Sequence, residues 1–265
     1  MSADRSRTLD QLREAGALWP IVEANSCRLC AQPRESRYAQ YDTCYRCHQL
    51  TERHGPVIDT LVPITYTAYD WPLGRGLRTL KDADACSPQS TWALGFGAIL
   101  SAFLEAQLPA FGRGGRYDRI VPLPTSSPVI GRSLERAHAE GWFVPPLATA
   151  GATIASGSRR QRDRNPSQRV EVDPRKWVFA EGALDGVVDV LVLDDMLTTG
   201  ASVFSFAAAL RRHGVSFVDV VVVARNVGQR DARWLRPMLE GRTHGWEPWT
   251  PEIARRGTPS RRRPR

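Results

Sequence analysis

Residues Val190 to Ser202 read VLVLDDMLTTGAS: four apolar residues, two adjacent acids, two more apolar residues, then Thr-Thr-Gly-Ala-Ser. A short Val and Leu run bounded by polar residues suits a strand buried on both faces of a parallel sheet. Asp194 and Asp195 then fall at its carboxyl edge, and Met196 and Leu197 lead into a small-residue loop of Thr198, Thr199, Gly200 and Ser202. Ala201 to Arg212 has the composition of a helix, with Gly214 in the C-terminal capping position. Strand, loop and helix in this order predict an α/β domain whose parallel sheet is flanked by helices. A loop that opens a helix offers unpaired N–H groups and the positive end of the helix dipole to a phosphate, and Gly200 lets the backbone come close. Two carboxylates just upstream can accept hydrogen bonds from vicinal hydroxyls and draw in a divalent cation. Phosphate, diol and Mg2+ together imply phosphoribosyl pyrophosphate as the ligand. An ordinary capped strand-to-helix turn uses the same residue types and is the alternative reading.

Cys27-x-x-Cys30 and Cys44-x-x-Cys47, thirteen residues apart, use four of the five cysteines. Each pair can set two thiolates on a tight turn, and two turns close a tetrahedral Zn2+ shell with no open position, which predicts a structural metal. Tyr38, Tyr41 and Tyr45 are expected to cover the small core of this module, or else to offer aromatic surface to a base or a protein. Cys86 has no partner by spacing.

At 265 residues the chain holds one α/β domain and a small appendage. The expected organisation is an N-terminal helix (1–24), a zinc module (25–55), the main domain (56–230), a peripheral segment (231–253) and a basic tail (254–265). Net charge is +8, but Ala254–Arg265 and Arg159–Arg169 contribute +6 and +4, so the remaining chain is close to neutral. The tail reads as a solvated, disordered end or a weak nucleic-acid contact. Only two lysines, Lys81 and Lys176, accompany thirty-four arginines, a bias that coding preference explains as well as function does. No leader peptide and no uninterrupted apolar run of about 18 residues is visible, which predicts a cytoplasmic protein that does not span a membrane.

Other segments fill in the fold. Arg5–Trp19 has helical spacing, Val57–Tyr69 reads as a strand that Pro63 confines to an edge or bulge, and Leu73–Asp84 reads as a helix carrying Lys81 toward the ligand. Ser87-Pro88 starts a helix with an apolar stripe from Trp92 to Leu104. Asp118–Pro124 reads as a second buried strand, followed by Thr125-Ser126-Ser127 and a helix through Ala139. Gly157–Arg175 lacks apolar periodicity and reads as a mobile basic loop. Arg159, Arg160, Arg162 and Arg164 could close over pyrophosphate through their bidentate forks, or simply stay solvated. Ser216–Ala224 completes a strand-helix-strand unit expected to be a right-handed parallel crossover. Trp234, Trp246 and Trp249 are candidates to cover a sheet edge.

VLVLDDMLTTGAS resembles the phosphoribosyl-pyrophosphate-binding motif of type I phosphoribosyltransferases, glycosyltransferases that release pyrophosphate. In that family the paired acids hold the ribose 2′ and 3′ hydroxyls and the loop cradles the 5′-phosphate. The resemblance assigns the first role to Asp194 and Asp195 and the second to Met196, Leu197, Thr198, Thr199, Gly200, Ala201 and Ser202. It makes Pro124, Thr125, Ser126 and Ser127 candidates for the pyrophosphate loop, equally readable as a helix cap, with Lys81 beside them. A cysteine knuckle ahead of this motif resembles the ComF family, associated with competence and DNA uptake in some bacteria. ComF-like chains carry Arg-Gly-Phe-Asn-Gln after the pyrophosphate loop, where Gly131-Arg132-Ser133-Leu134-Glu135 stands here. Three functions follow as expectations: phosphoribosyl transfer to a nitrogen nucleophile, non-catalytic ligand sensing or competence, and a zinc-containing nucleic-acid adaptor.

Overall fold

The computed structural model describes residues 3–21, 26–33, 41–81, 90–111, 114–149, 151–155, 171–240 and 242. Arg159, Arg160, Arg162, Arg164, Cys86, Ser87, Pro88, Tyr38, Trp246, Trp249 and the 254–265 tail lie outside the described residues. The elements run α1 (Ala3–Glu14), α2 (Tyr45–His54), β1 (Thr60–Thr67), α3 (Pro72–Lys81), α4 (Thr91–Gln107), β2 (Arg119–Pro122), α5 (Ser127–Ala139), β3 (Ala152–Ile154), β4 (Trp177–Phe179), β5 (Asp189–Leu197), α6 (Ala201–Arg212), β6 (Phe217–Asn226) and α7 (Gln229–Leu239).

Four strands form one sheet in the order β1-β6-β5-β2, with every pairing parallel. Parallel strands need crossovers, which bury both faces, and the side chains alternate accordingly. Leu191, Leu193, Val221 and Val223 pack with α4 and α5 on one face, while Val190, Val192, Val220 and Val222 pack with α6 on the other. β5 and β6 are neighbours joined by α6, the strand-helix-strand unit read from the sequence. Helix α6 closes as expected: His213 follows it, Gly214 takes φ +92°, and Val215 N–H reaches back to Leu210 O.

Pro63 sits in β1, which is an edge strand of the sheet. The outer side of that edge is covered: Tyr66 N–H donates to Trp19 O and Trp19 N–H to Thr65 Oγ1, so all eight residues of β1 are buried. Helix α4 is the central core helix, and at Gly97 a Cβ would stand 2.3 Å from Ser133 O of α5. The segment Thr91–Ala110 is long and apolar enough to cross a membrane by composition, yet 67% of it is buried inside the protein.

Several expected boundaries move. α1 stops at Glu14, because Gly16 takes φ +63°, so Leu18 is buried outside the helix. The described part of α4 begins at Thr91, capped by Ser90, whose side chain accepts from Trp92 N–H. The basic loop is shorter than 157–175: Val172 is buried, Asp173 N–H donates to Ser205 Oγ of α6, and Pro174–Lys176 forms a helical turn. The antiparallel pair β3–β4 brackets this stretch. Tyr41 and Tyr45 do not cover a core; they are 58% and 76% exposed. The buried cysteines belong instead to the apolar cluster on the α6 face of the sheet.

Candidate functional site

β5 runs two residues beyond the acids, ending at Leu197, so Asp194 and Asp195 are strand residues rather than its last ones. Because strand side chains alternate, the two carboxylates leave the backbone on opposite sides. After Leu197 the chain turns through Thr198, Thr199 and Gly200 into α6. Gly200 sits at the N-cap position with φ +78°, ψ −11°, a left-handed conformation that favours glycine, and a Cβ there would press to 3.2 Å against Phe204. Gly200 brings no capping side chain and no acid occupies the first turn; the Ala201 N–H donates to Thr199 Oγ1 at 3.4 Å.

This turn forms one wall of a cleft of about 470 Å3 at the carboxyl ends of β2 and β5. Open parallel sheets bind ligands outside the carboxyl ends of their strands. Asp194, Asp195, Met196, Leu197, Thr198, Thr199, Gly200 and Ser202 line it, as do Lys81, Thr125 and Ser126. Ala201 is buried behind the wall at the start of α6, Pro124 is not part of the lining, and Ser127 is the first residue of α5. Gly131 to Glu135 contribute nothing to the lining; they lie within α5, where Leu134 packs into the core and Ser133 donates to Val129 O. Tyr69, Leu123 and Val203 also line the cleft and were not foreseen.

The acids are nearly buried, at 5% for Asp194 and 2% for Asp195. Ser126 Oγ donates to Asp194 Oδ1 at 2.7 Å, and the Asp195 N–H donates to the same oxygen at 2.9 Å. Lys81 Nζ stands 3.0 Å from both carboxylate oxygens of Asp195. Burial, reinforced by the neighbouring Asp195 charge, pushes the Asp194 carboxyl up to about 7 against the pull of Ser126 and Lys81. Burial raises Asp195 too, with Lys81 opposing it. The Lys81 ammonium resists burial, but the charge of Asp195 more than restores it and its pKa is raised.

A second cation stands behind the loop. Lys176, 5% exposed, donates from Nζ to Ser202 Oγ at 3.3 Å and lies 4.6 Å from the Trp177 ring centre. An ammonium only donates, so Ser202 Oγ is the acceptor here and its own hydrogen is free to donate elsewhere. Local pattern could not reveal this contact across 26 residues. A signal was nonetheless present: the chain has two lysines among thirty-four arginines, and both converge on this cleft.

The four cysteines also converge. Their sulfurs all lie within 4.8 Å of one another, none is in a disulfide, and Cys30 and Cys44 are 3.8 Å apart. Four thiolates at about 2.3 Å from a tetrahedral metal stand roughly 3.8 Å apart, so the cluster fits a bound ion. Cys27 and Cys30 lie on a turn closed by Ala31 N–H to Cys27 O, whereas Cys44 caps α2 and Cys47 lies in its first turn. The second pair is thus at a helix N-terminus rather than on a loop turn, where the dipole favours thiolates. Hydrogen bonding with Cys30 lowers the Cys27 pKa, and hydrogen bonding with Cys27 raises that of Cys47. Among the described residues this is the one cluster of three or more metal-ligating side chains.

No protein-family model matches the chain, and no curated protein matches it.

Proposed function

We propose that the chain is a phosphoribosyltransferase-like protein that binds phosphoribosyl pyrophosphate in this cleft, with a structural Zn2+ on Cys27, Cys30, Cys44 and Cys47. The observation that carries the reading is the convergence of two buried acids, a glycine turn opening α6 and the Ser126 loop on one cleft at the strands' carboxyl ends. In this reading the first amides of α6 and the Ser202 hydroxyl hold the 5′-phosphate, with Lys176 adding positive charge behind it. The ribose hydroxyls donate to Asp194 and Asp195. The diol competes with Lys81 for Asp195, which frees the ammonium to meet a pyrophosphate oxygen. Because Lys81 already neutralises Asp195, the acid pair is not a resident cation site, and Mg2+ arrives bound to the pyrophosphate.

Transfer breaks the bond between the anomeric carbon and the pyrophosphate oxygen, whose electron pair leaves with pyrophosphate. The carbon bonds to a nitrogen nucleophile, which gives up its proton. Mg2+ supplies charge stabilisation for the leaving group. The chain's own residues fix the ring and exclude water from one side of it. Isothermal titration calorimetry tests the binding: ribose 5-phosphate and Mg2+-phosphoribosyl pyrophosphate are each expected to bind at one site, and absence of heat from both overturns the reading.

A non-catalytic sensor is the second reading, favoured by the packing of Ser133 and Leu134 into the core where the ComF-like segment would stand. Ligand binding without pyrophosphate release in the presence of any common base supports it; release excludes it.

A further inference from the structure

Arg225 ends the apolar run of β6 and is 6% exposed, although no sequence pattern marks it as more than a strand terminus. It lies directly across from Leu197 in the β5–β6 register, at the point where β5 leaves the sheet. Its guanidinium donates from one nitrogen to Leu197 O at 2.8 Å and to Thr198 O at 2.7 Å, the two carbonyls that lead into the turn. Its other terminal nitrogen donates to Gln32 Oε1. Gln32 in turn donates to Asp231 Oδ2 at 2.8 Å, and its backbone carbonyl accepts from Cys27 N–H at 2.9 Å. Gln32 therefore belongs to the turn that holds Cys27 and Cys30. Asn226, the next residue, donates to Thr198 Oγ1 at 3.4 Å.

A continuous chain of hydrogen bonds thus runs from the cysteine turn to the base of the glycine turn, through side chains with fixed geometry. A guanidinium offers five donors in a planar fork, so it can hold two carbonyls and an amide oxygen together; an ammonium cannot reproduce that spacing. Charge reinforces the link. Four thiolates around a divalent ion carry net −2, and two guanidiniums, Arg46 and Arg225, lie close enough to these sulfurs to feel their charge.

We infer that Arg225 is a positioning residue through which the metal-bound cysteine module holds the Leu197–Gly200 turn, so that metal occupancy sets the affinity of the cleft for a phosphate monoester. The mechanical link stands on the hydrogen bonds alone; the affinity clause rests on the function proposed above. Linkage makes the coupling reciprocal, so a bound phosphate monoester raises the affinity for the metal by the same factor.

The test uses the full chain, Zn2+-loaded or chelator-treated, in wild type and Gln32→Ala, with amide hydrogen exchange as the readout. Gln32 touches neither the metal nor the cleft lining. In zinc-loaded Gln32→Ala, exchange at the Phe204 amide, which donates to Gly200 O of the turn, is expected to rise at least tenfold over wild type, while metal stoichiometry and β5–β6 core protection stay unchanged. Metal removal is expected to produce the same rise in wild type and little further rise in Gln32→Ala. Unchanged exchange in zinc-loaded Gln32→Ala overturns the inference, and this comparison decides even if the metal-free protein loses protection throughout the sheet. Arg225→Lys should behave like Gln32→Ala. Ribose 5-phosphate affinity, measured on the same samples, separates the two claims: no binding to wild type removes the phosphate reading, whereas binding that ignores Gln32→Ala removes the coupling.

Discussion

Aspartates stand at both ends of the same parallel sheet, and their surroundings differ. At the amino edge, Asp118 accepts from the backbone N–H groups of Val188 and Asp189, and Asp59 accepts from Val218 N–H and Arg211. Asp219, buried there, accepts from Tyr117 Oη at 2.6 Å. These donors belong to the frame of the fold and have no other work. At the carboxyl edge, the donors to Asp194 and Asp195 include a serine hydroxyl and a lysine that is 42% exposed, both on the wall of an open cleft. A ligand's hydroxyls can replace such donors. Adjacent buried carboxylates with replaceable partners cost the fold something, a contrast that supports the proposed site.

The largest effect expected from breaking this contrast comes from Asp194→Asn combined with Asp195→Asn. Losing two charge-assisted hydrogen bonds to the diol should cut ribose 5-phosphate affinity on the order of 100-fold or more. Circular dichroism should show the fold intact, and retained affinity would put the site elsewhere.

A smaller effect sharpens the contrast through pH. Asp194 is raised from its ordinary range to about 7, so between about pH 4 and 7 the folded state holds a proton that the unfolded state has lost. Stability contributed by this group is full below the unfolded value and is lost as pH rises toward 7. Asp194→Asn should remove that slope and stabilise the protein near pH 8 by on the order of 2 kcal/mol, read from urea midpoints. Wild-type affinity for the diol should rise around pH 7, where Asp194 ionises in the folded protein. An Asp194→Asn variant with an unchanged stability slope would contradict the assignment.

The smallest effect belongs to the other edge. Asp59→Ala should cost about 1 kcal/mol, because the acid is partly solvated, and leave ribose 5-phosphate affinity unchanged. A loss of affinity there would erase the distinction between the two ends.

Much of this contrast was legible before any coordinates. Ala201–Arg212 is a helix with Gly214 just beyond it, because periodicity and caps are local signals. Pro63 marks the edge strand for an equally local reason, the absent N–H. Lys81 falls at the end of α3 facing Asp195, as its place in the Leu73–Asp84 segment suggested. What escaped is non-local. Lys176 lies just past the stretch to Arg175 that read only as a basic loop, and Asp173 ties the end of that stretch to α6 through a contact no pattern reports. Arg225 fell just past the strand read as Ser216–Ala224, and its reach to Gln32 spans 193 residues. Tyr41 and Tyr45 were expected to thicken a small core, but the cysteine module borrows the α6 face of the main sheet and leaves them outside.

The most direct test of the site is a crystal structure with ribose 5-phosphate. The phosphate should sit against the amides that open α6 beside Ser202, with the ribose 2′ and 3′ hydroxyls on Asp194 and Asp195 and Lys81 displaced from Asp195. Phosphate bound away from the Thr198–Ser202 turn, or a ribose whose hydroxyls avoid both acids, would contradict the account.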